Sequence, residues 1–502
     1  MVKEILINVE ELEKRVAILE DSVLEEFYIE RTGYQKIVGN IYKGRVESIV
    51  PGIQAAFVNI GLEKHGFLYV SDIIEPVVDY EEVIPAKASH RKEDRRGEHL
   101  IQNILKKGAD VIVQVIKEPI GTKGARLTTQ VSLPGRYLVL MPTEEKSGIS
   151  KRIEDVKERE RLKGIMKTLG LPKGMGIILR TAMTGHGKRE MIRDIRYLLK
   201  VWRKIKINSE KQSAPSLVHE EYDLILRIVR DYFTEEVGKL IIDSKDEIVK
   251  VIHFINSLAP HLKNRIELYH GQGALFEKYN IERDIEKIYE RKIFLKSGGH
   301  IVIEPTESLI AIDVNTGRFV GRRSLEETVL HTNLEAAKEI ARQLKLRDLG
   351  GIIVIDFIDM ENPGNRTKVF NVIEDALKSD RAKTNLMPFS NFGTVEMTRQ
   401  RMRQSLESVS YEDCWYCEGR GKVKSQITMS ILALRQVKKY LKDTGKKAAE
   451  VSVHPNIASR ILNEDRDYLR SLENIFGAKI MVRPDINCHI EDIKIIDKHP
   501  VT

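Results

Sequence analysis

Apolar and polar positions change their spacing several times along the chain, and each change predicts a different element. Residues 38–72, VGNIYKGRVESIVPGIQAAFVNIGLEKHGFLYVSD, alternate apolar with polar between Gly and Pro turns, which predicts the short strands of a small barrel. The charged stretch from Ile74 to about His99 has no period and predicts a loop or insertion. Alternation returns in ADVIVQVIKEPIGTKGARLTTQVSL, which would close the barrel. Between 135 and 180, GRYLVLMP, a charged helix and MGIILRTAM predict a second small α/β unit.

A two-faced helix follows. Ile192, Ile195, Leu199 and Trp202 fall at helical spacing on one side, and Arg193, Arg196, Lys200 and Arg203 fall beside them as either a solvated flank or a phosphate track. The most regular stretch lies between 289 and 400. There HIVIEP and SLIAIDVNTG predict two strands joined by a polar turn, with a helix from about Leu325 to Leu346, a stop at Gly350-Gly351, and a buried strand IIVIDFIDM. That is a β-β-α-β unit with an acidic residue at the end of two strands. Beyond 425 a long amphipathic helix and the strands AEVSVHP and AKIMVRP predict mixed α/β structure.

At 502 residues, 42% of them hydrophobic and 31% charged, the chain should divide among several cores. Its start, MVKEILINVEELEKR, mixes charge with apolar residues and carries neither a signal-peptide core nor a membrane-spanning run, so a cytoplasmic protein without a transmembrane segment is expected. Three cysteines, Cys414, Cys417 and Cys488, are too few for a disulfide framework and suit a reducing compartment. A formal charge of +8 favours polyanionic partners without identifying one.

Three groups of residues carry candidate chemistry. Asp313 ends the apolar run SLIAIDV and Asp356 ends IIVID, which predicts carboxylates held in apolar surroundings; a divalent cation that takes oxygen ligands would compensate two of them. Strand period two places Asn315 on the face of Asp313, whereas Asp359 falls on the opposite face or in the turn. Strand-end aspartates are also ordinary turn formers, or could pair with Arg318 or Arg322. Cys414-Trp-Tyr-Cys417 followed by EGRG is half of a tetrahedral zinc site. Cys488 and His489 could complete it, the pair could be redox-active, or two chains could each supply two thiolates. Phe57 and Phe67 lie on the barrel strands, where core packing claims most aromatics.

LIAIDVNTGR and GGIIVIDFIDM closely resemble the catalytic signature of the ribonuclease E/G family, and the barrel pattern resembles an S1-type OB-fold. The resemblance implies a multidomain α/β (α+β) chain. An RNase H-like fold, residues 1–35 and 226–288, would be interrupted by an S1-type barrel (36–129) and a 5′-sensor unit (130–225). A DNase I-like catalytic subdomain (289–410), a zinc link (411–424) and a small α/β domain (425–502) would follow. The implied activity is magnesium-assisted endonucleolytic cleavage of single-stranded RNA, favouring 5′-monophosphorylated substrates, in rRNA and tRNA processing and mRNA decay. The alternatives are an RNA-binding assembly protein without catalysis and a metal-dependent DNA nuclease.

Residue by residue, the resemblance implies Asp313 and Asp356 as magnesium ligands with Asn315 in support, and Cys414 and Cys417 as half of a zinc site shared between protomers. It implies Phe57 and Phe67 as base-stacking residues, Lys123 as a backbone contact, and Arg180 and Thr181 with the backbone at Gly135 and Val139 as a pocket for a 5′-monophosphate. A zinc-linked homodimer, or a dimer of such dimers, is the expected assembly. Trp415 stands where the family usually has proline, and MTGHGKREM departs from the family pattern after Arg180-Thr181. The absence of a scaffold-like extension after Thr502 resembles the family's short form.

Overall fold

A computed structural model describes residues 2–33, 36–74, 83–85, 100–119, 123–317, 325–401, 406 and 410–496. The chain divides into two compact units, residues 1–406 and 407–502. Among the described residues no helix is long and apolar enough to cross a membrane.

Among its described residues the first unit holds four sheets. One is built from the antiparallel strands Lys3–Val9, Glu13–Glu20 and Val23–Arg31, extended by Val237–Ile242, parallel to the first, and by Ile266–Leu268. The chain therefore leaves this sheet and returns to it more than 200 residues later. Both faces are covered: Ile5, Ile7 and Val16 pack with Ile228 and Phe254 on one side, and Leu6, Leu19 and Phe27 with Phe276 and Leu346 on the other. Burial on both faces explains why EILIN and VAILE run apolar instead of alternating.

The predicted barrel forms and closes. Its strands follow the order Ile41–Val50, Ala55–Asn59, Gly66–Tyr69, Arg126–Thr128 and Asp110–Lys117, and the last pairs back to the first. A sixth strand, Ser216–His219, adds to Ile41–Val50 from far along the chain. The stretch expected to be a loop contributes Val83–Pro85 to the next sheet, paired with Gly148–Ser150; residues 75–82 and 86–99 lie outside those described.

That next sheet carries the helix Lys188–Lys211. Met191, Ile195, Leu198, Trp202 and Ile205 are its buried face, so the apolar stripe is centred about one residue away from the predicted one, leaving Ile192 and Leu199 half-buried. Arg193, Arg196, Lys200 and Arg203 are all exposed.

The fourth sheet orders its strands as Lys292–Phe294, His300–Pro305, Leu309–Asn315, Gly351–Asp356, Thr394–Arg399 and Thr384–Leu386. The expected β-β-α-β unit is its centre, with the helix at Leu325–Arg347. That helix and Pro363–Leu377 cover one face, where Ile310, Ile312, Val314, Ile353, Ile355 and Val395 meet Ala337, Ile340, Val369 and Ile373. Gly351 starts the central strand at φ +108°, a conformation open to glycine and costly for other residues.

In the second unit, Ala448–Val453 pairs with Lys479–Pro484 in parallel and with Ile493–Ile496 antiparallel. The helices Gln426–Thr444, Pro455–Asn463 and Arg466–Phe476 pack against this sheet through Leu434, Val437, Ile457 and Leu472.

Candidate functional site

Leu309–Asn315 alternates strictly. Ile310, Ile312 and Val314 point into the helix-covered core, which puts Asp313 on the opposite, open face. Gly351–Asp356 behaves in the same way, with Ile353 and Ile355 inward and Asp356 exposed. The two strands are parallel and in register, with Asp313 directly beside Asp356. Adjacent strands lie about 4.8 Å apart, so two like charges stand side by side. This corrects the sequence expectation of carboxylates in apolar surroundings: the apolar neighbours face the other way, and mutual repulsion rather than full burial is what a cation would relieve.

The electrostatics agree. Partial burial and then the charges of Asp313 and Asp359 push the Asp356 carboxyl above its ordinary range. Asp359, expected on the opposite face or in the turn, lies past the end of the strand and near enough to add to the negative potential. Asn315 Nδ2 donates to Asp313 Oδ2 at 2.6 Å and fixes that carboxylate. Arg318 and Arg322, the alternative partners, lie outside the described residues. His300, which the sequence did not single out, pairs in register with Asn315. Its imidazole is pushed down by burial and by Lys292, against the opposing pull of Asp313.

Among the described residues no three metal-ligating side chains gather in one place. Two carboxylates are nevertheless a fitting donor set for magnesium, which keeps several waters and takes one or two protein carboxylates together with substrate phosphate.

On the barrel, Ala56, Val58 and Leu68 fill the interior, so Phe57 and Phe67 lie on the outside, half-buried. Core packing is therefore not their role. They pair in register with ring centroids 5.2 Å apart, and Tyr69 extends the row at 4.3 Å from Phe67. Arg126, gripped by both carboxylate oxygens of Asp72 at 2.8 Å, lies over the Tyr69 ring. Lys123 is exposed, and a Cβ on the adjoining Gly124 would come 1.8 Å from the His65 carbonyl oxygen, so only glycine lets this segment pass so close to the Phe67 strand.

Arg180 ends its strand with Nη1 donating to Gly135 O at 2.7 Å and to Asp231 Oδ1 at 2.6 Å. Its Nε and Nη2 have no hydrogen bond among the described residues. Burial would raise the Asp231 carboxyl, but Arg180 and Arg230 outweigh it and hold it at about 2. Thr181 follows, exposed, at the start of a single 3₁₀ turn. The Gly135 turn is tied down by buried Asp194, whose carboxylate accepts N–H bonds from Arg136, Tyr137 and Leu138 at 3.3, 2.8 and 3.1 Å. A Cβ on Gly135 would sit 2.5 Å from Asp194 Oδ2. Val139 follows on the strand that pairs with Ile178.

In the second unit, Cys414 and Cys417 share a tight turn in which Glu418, Gly419 and Gly421 have positive φ. Backbone N–H groups of Cys417 and Tyr416, then the Cys417 thiol, lower the Cys414 thiol. Gly421 N donates to Cys417 Sγ at 3.2 Å. These features favour thiolate, the form that binds metal. Among the described residues Cys488 and His489 do not form a metal-ligating group of three with the pair. Burial raises the Cys488 thiol, whose charged neighbours are Lys494, Asp485 and Asp492. Both ring nitrogens of His489 are engaged, Nε2 with Tyr416 O at 2.6 Å and Nδ1 with Glu491 N at 3.1 Å. Trp415 stands out of the turn, 84% exposed.

The comparisons with known proteins agree with one another. Residues 132–402 match the model of the ribonuclease E/G family, and residues 413–498 match that of the RNase E/G thioredoxin-like domain. The chain is 40% identical to ribonuclease G of Escherichia coli strain K12 over 483 residues, 96% of this chain and 97% of that protein. It is 41% identical to ribonuclease G of Haemophilus influenzae over 485 residues, 96% of each chain. Ribonuclease E of Haemophilus influenzae is 42% identical over 485 residues, which cover 96% of this chain and 51% of that protein.

Proposed function

This chain belongs to the ribonuclease E/G family and is an endoribonuclease, and we propose that it cuts single-stranded RNA by magnesium-assisted hydrolysis, faster when the substrate carries a 5′-monophosphate. The observation that carries the reading is the in-register pair Asp313 and Asp356 on the open face of a sheet. These two carboxylates hold magnesium, and Asn315 orients Asp313. Magnesium, when bound, polarises the scissile phosphate and lowers the pKa of an attacking water. Because an acidic face repels phosphates, most affinity comes from elsewhere: the Phe57–Phe67 surface stacks on bases and Lys123 meets the backbone.

Arg180, held by Asp231 through one nitrogen, keeps its remaining N–H groups for a terminal phosphate, with the Thr181 hydroxyl alongside. Cys414 and Cys417 hold half of a zinc site that a second copy completes. The RNase H-like and DNase I-like assignments, a place in rRNA and tRNA processing and mRNA decay, and action in the cytoplasm belong to the same reading. One assay tests it: purified protein with single-stranded RNA and DNA oligonucleotides, in magnesium or in EDTA. RNA cut only in magnesium, with DNA spared, is the expected result; DNA cleavage at a comparable rate, or none of either polymer, would point to the two alternatives.

A further inference from the structure

The open face of the fourth sheet carries two aromatic rings that no function assigned above uses. Phe392 is 92% exposed and Phe294 is 71% exposed. Their places follow from strand register. Asp356 pairs with Thr394, so Phe392 stands in the turn just before the neighbour of one carboxylate. On the other side, Phe294 pairs with His300 and His300 with Asn315, two strands away from Asp313. Asp313 itself pairs with Val302 and Val302 with Lys292, so the in-register row is Lys292, Val302, Asp313, Asp356 and Thr394, and Phe294, His300 and Phe392 each lie two residues away from that row, on the side of Asn315. At about 4.8 Å per strand and about 3.3 Å per residue, Phe294 stands roughly 12 Å from Asp313 and Phe392 roughly 8 Å from Asp356, one on each side of the acidic pair.

Neither ring is a loose end. The Phe392 turn is fixed by Ser390 N to Thr394 O at 2.8 Å, Gly393 N to Ser390 O at 3.1 Å and Ser390 Oγ to Thr394 Oγ1 at 2.8 Å. Phe389, in the same segment, packs against the core beside Phe357, which anchors the turn and leaves Phe392 outside. Gly393, at φ +85°, lies near Asp359, whose Oδ1 would be 3.6 Å from an added Cβ. Ile293 packs against the core, so its neighbours Phe294 and Lys292 point to the open side, where the Phe294 ring meets His300 at 6.2 Å. Lys292 Nζ lies 5.1 Å from the Phe294 centroid.

The surroundings say what such rings fit. Asp313, Asp356, Asp359, Glu304 and Glu396 are all exposed here, so phosphate attraction contributes little to holding RNA on this face. Stacking on a base is indifferent to that charge and to base identity. Resting on the nuclease reading, we propose that a single RNA strand crosses the open face perpendicular to the strands, with one base on Phe392 and another on Phe294 backed by His300. The scissile phosphate then lies between them, over Asp313 and Asp356, and Lys292 meets a neighbouring phosphate. The two rings are substrate-positioning groups that choose which phosphate is cut.

The test is an abasic scan of an RNA with one cleavage site, in magnesium. Two positions flanking the cut should each lower kcat/KM by about five- to 150-fold when made abasic, the range expected for one stacked base. Phe392→Ala should cause a similar loss and abolish sensitivity at one of those positions, and Phe294→Ala at the other. Phe392→Trp should keep the parent profile, and Phe392→Leu should not. Stacking is also read without cleavage, by quenching of 2-aminopurine at either position on binding to Asp313→Asn in EDTA. A parent that cuts no RNA would defeat the nuclease reading and leave that quenching to decide this proposal. Alanine variants with the parent kcat/KM and abasic profile, or with an altered oligomeric mass and an unaltered profile, would overturn it.

Discussion

Asp313 and Asp356 stand side by side on adjacent parallel strands, both turned away from the helices that cover the sheet. The placement concentrates negative charge where water and ions reach it, and that charge adds to partial burial in pushing the Asp356 carboxyl up. A cation is favoured there by repulsion between neighbours, without either carboxylate being sealed in the core.

Changing Asp313→Asn or Asp356→Asn should abolish RNA cleavage while leaving affinity for single-stranded RNA within about tenfold, since stacking and phosphate contacts elsewhere supply most of it. Gel-based cleavage and fluorescence anisotropy with the same oligonucleotide separate the two effects. Undiminished cleavage by both mutants, free of contaminating nuclease, would remove the pair as the catalytic centre.

The same pair should show in stability. The folded state raises the Asp356 pKa, so ionised Asp356 is the form that folding penalises; the penalty is present at neutral pH and is relieved as pH falls through the raised value. In EDTA at pH 7, Asp356→Asn should therefore melt above the parent, and the gap should close in acid. Magnesium should raise the Tm of the parent and leave that of the mutant nearly unmoved. A mutant melting at or below the parent at pH 7 would show that repulsion is not a cost at this site.

One zinc per two chains is expected, because each chain brings two thiolates and, among the described residues, these do not form a metal-ligating group of three with any other side chain. Cys414→Ser or Cys417→Ser should yield monomers in analytical ultracentrifugation and lower activity. Elemental analysis giving one zinc per chain, lost on changing Cys488, would favour a site within one chain instead.

RNA with a 5′-monophosphate should be cut faster than the same RNA with a 5′-hydroxyl or 5′-triphosphate. Losing one charge-assisted contact costs about 1.5–3 kcal/mol, roughly ten- to hundredfold in apparent affinity. Arg180→Ala should slow cleavage of the monophosphorylated form towards that of the hydroxyl form and barely change the latter. Equal rates for all three ends at limiting substrate would mean that the pocket does not sense the terminus.

The elements that the sequence made legible are those set by local pattern. Alternation in the barrel strands, helical spacing at Leu325–Arg347 and the two acidic strand ends all reappear in the structure. What stayed hidden depends on residues far apart. Whether Asp313 faces core or water depends on which side of the sheet its helices choose. Ser216–His219 joins Ile41–Val50, and Asp231 meets Arg180 across 51 residues, and neither pairing leaves a local trace. Phe294 and Phe392 are single aromatics in a strand and a turn; only register brings them to either side of the acidic pair.

The returning sheet has a consequence for synthesis on the ribosome. Lys3–Val9 emerges well before its parallel neighbour Val237–Ile242, which is made more than 200 residues later. At about 5–20 residues per second that is a delay of roughly ten to fifty seconds. During it, the growing chain exposes an unpaired strand edge bearing Ile5, Leu6 and Ile7, the kind of edge that recruits other chains. The barrel between them closes on itself and carries no such hazard for its five closed strands, so the waiting strand is more open to wrong pairing than the barrel that is translated after it.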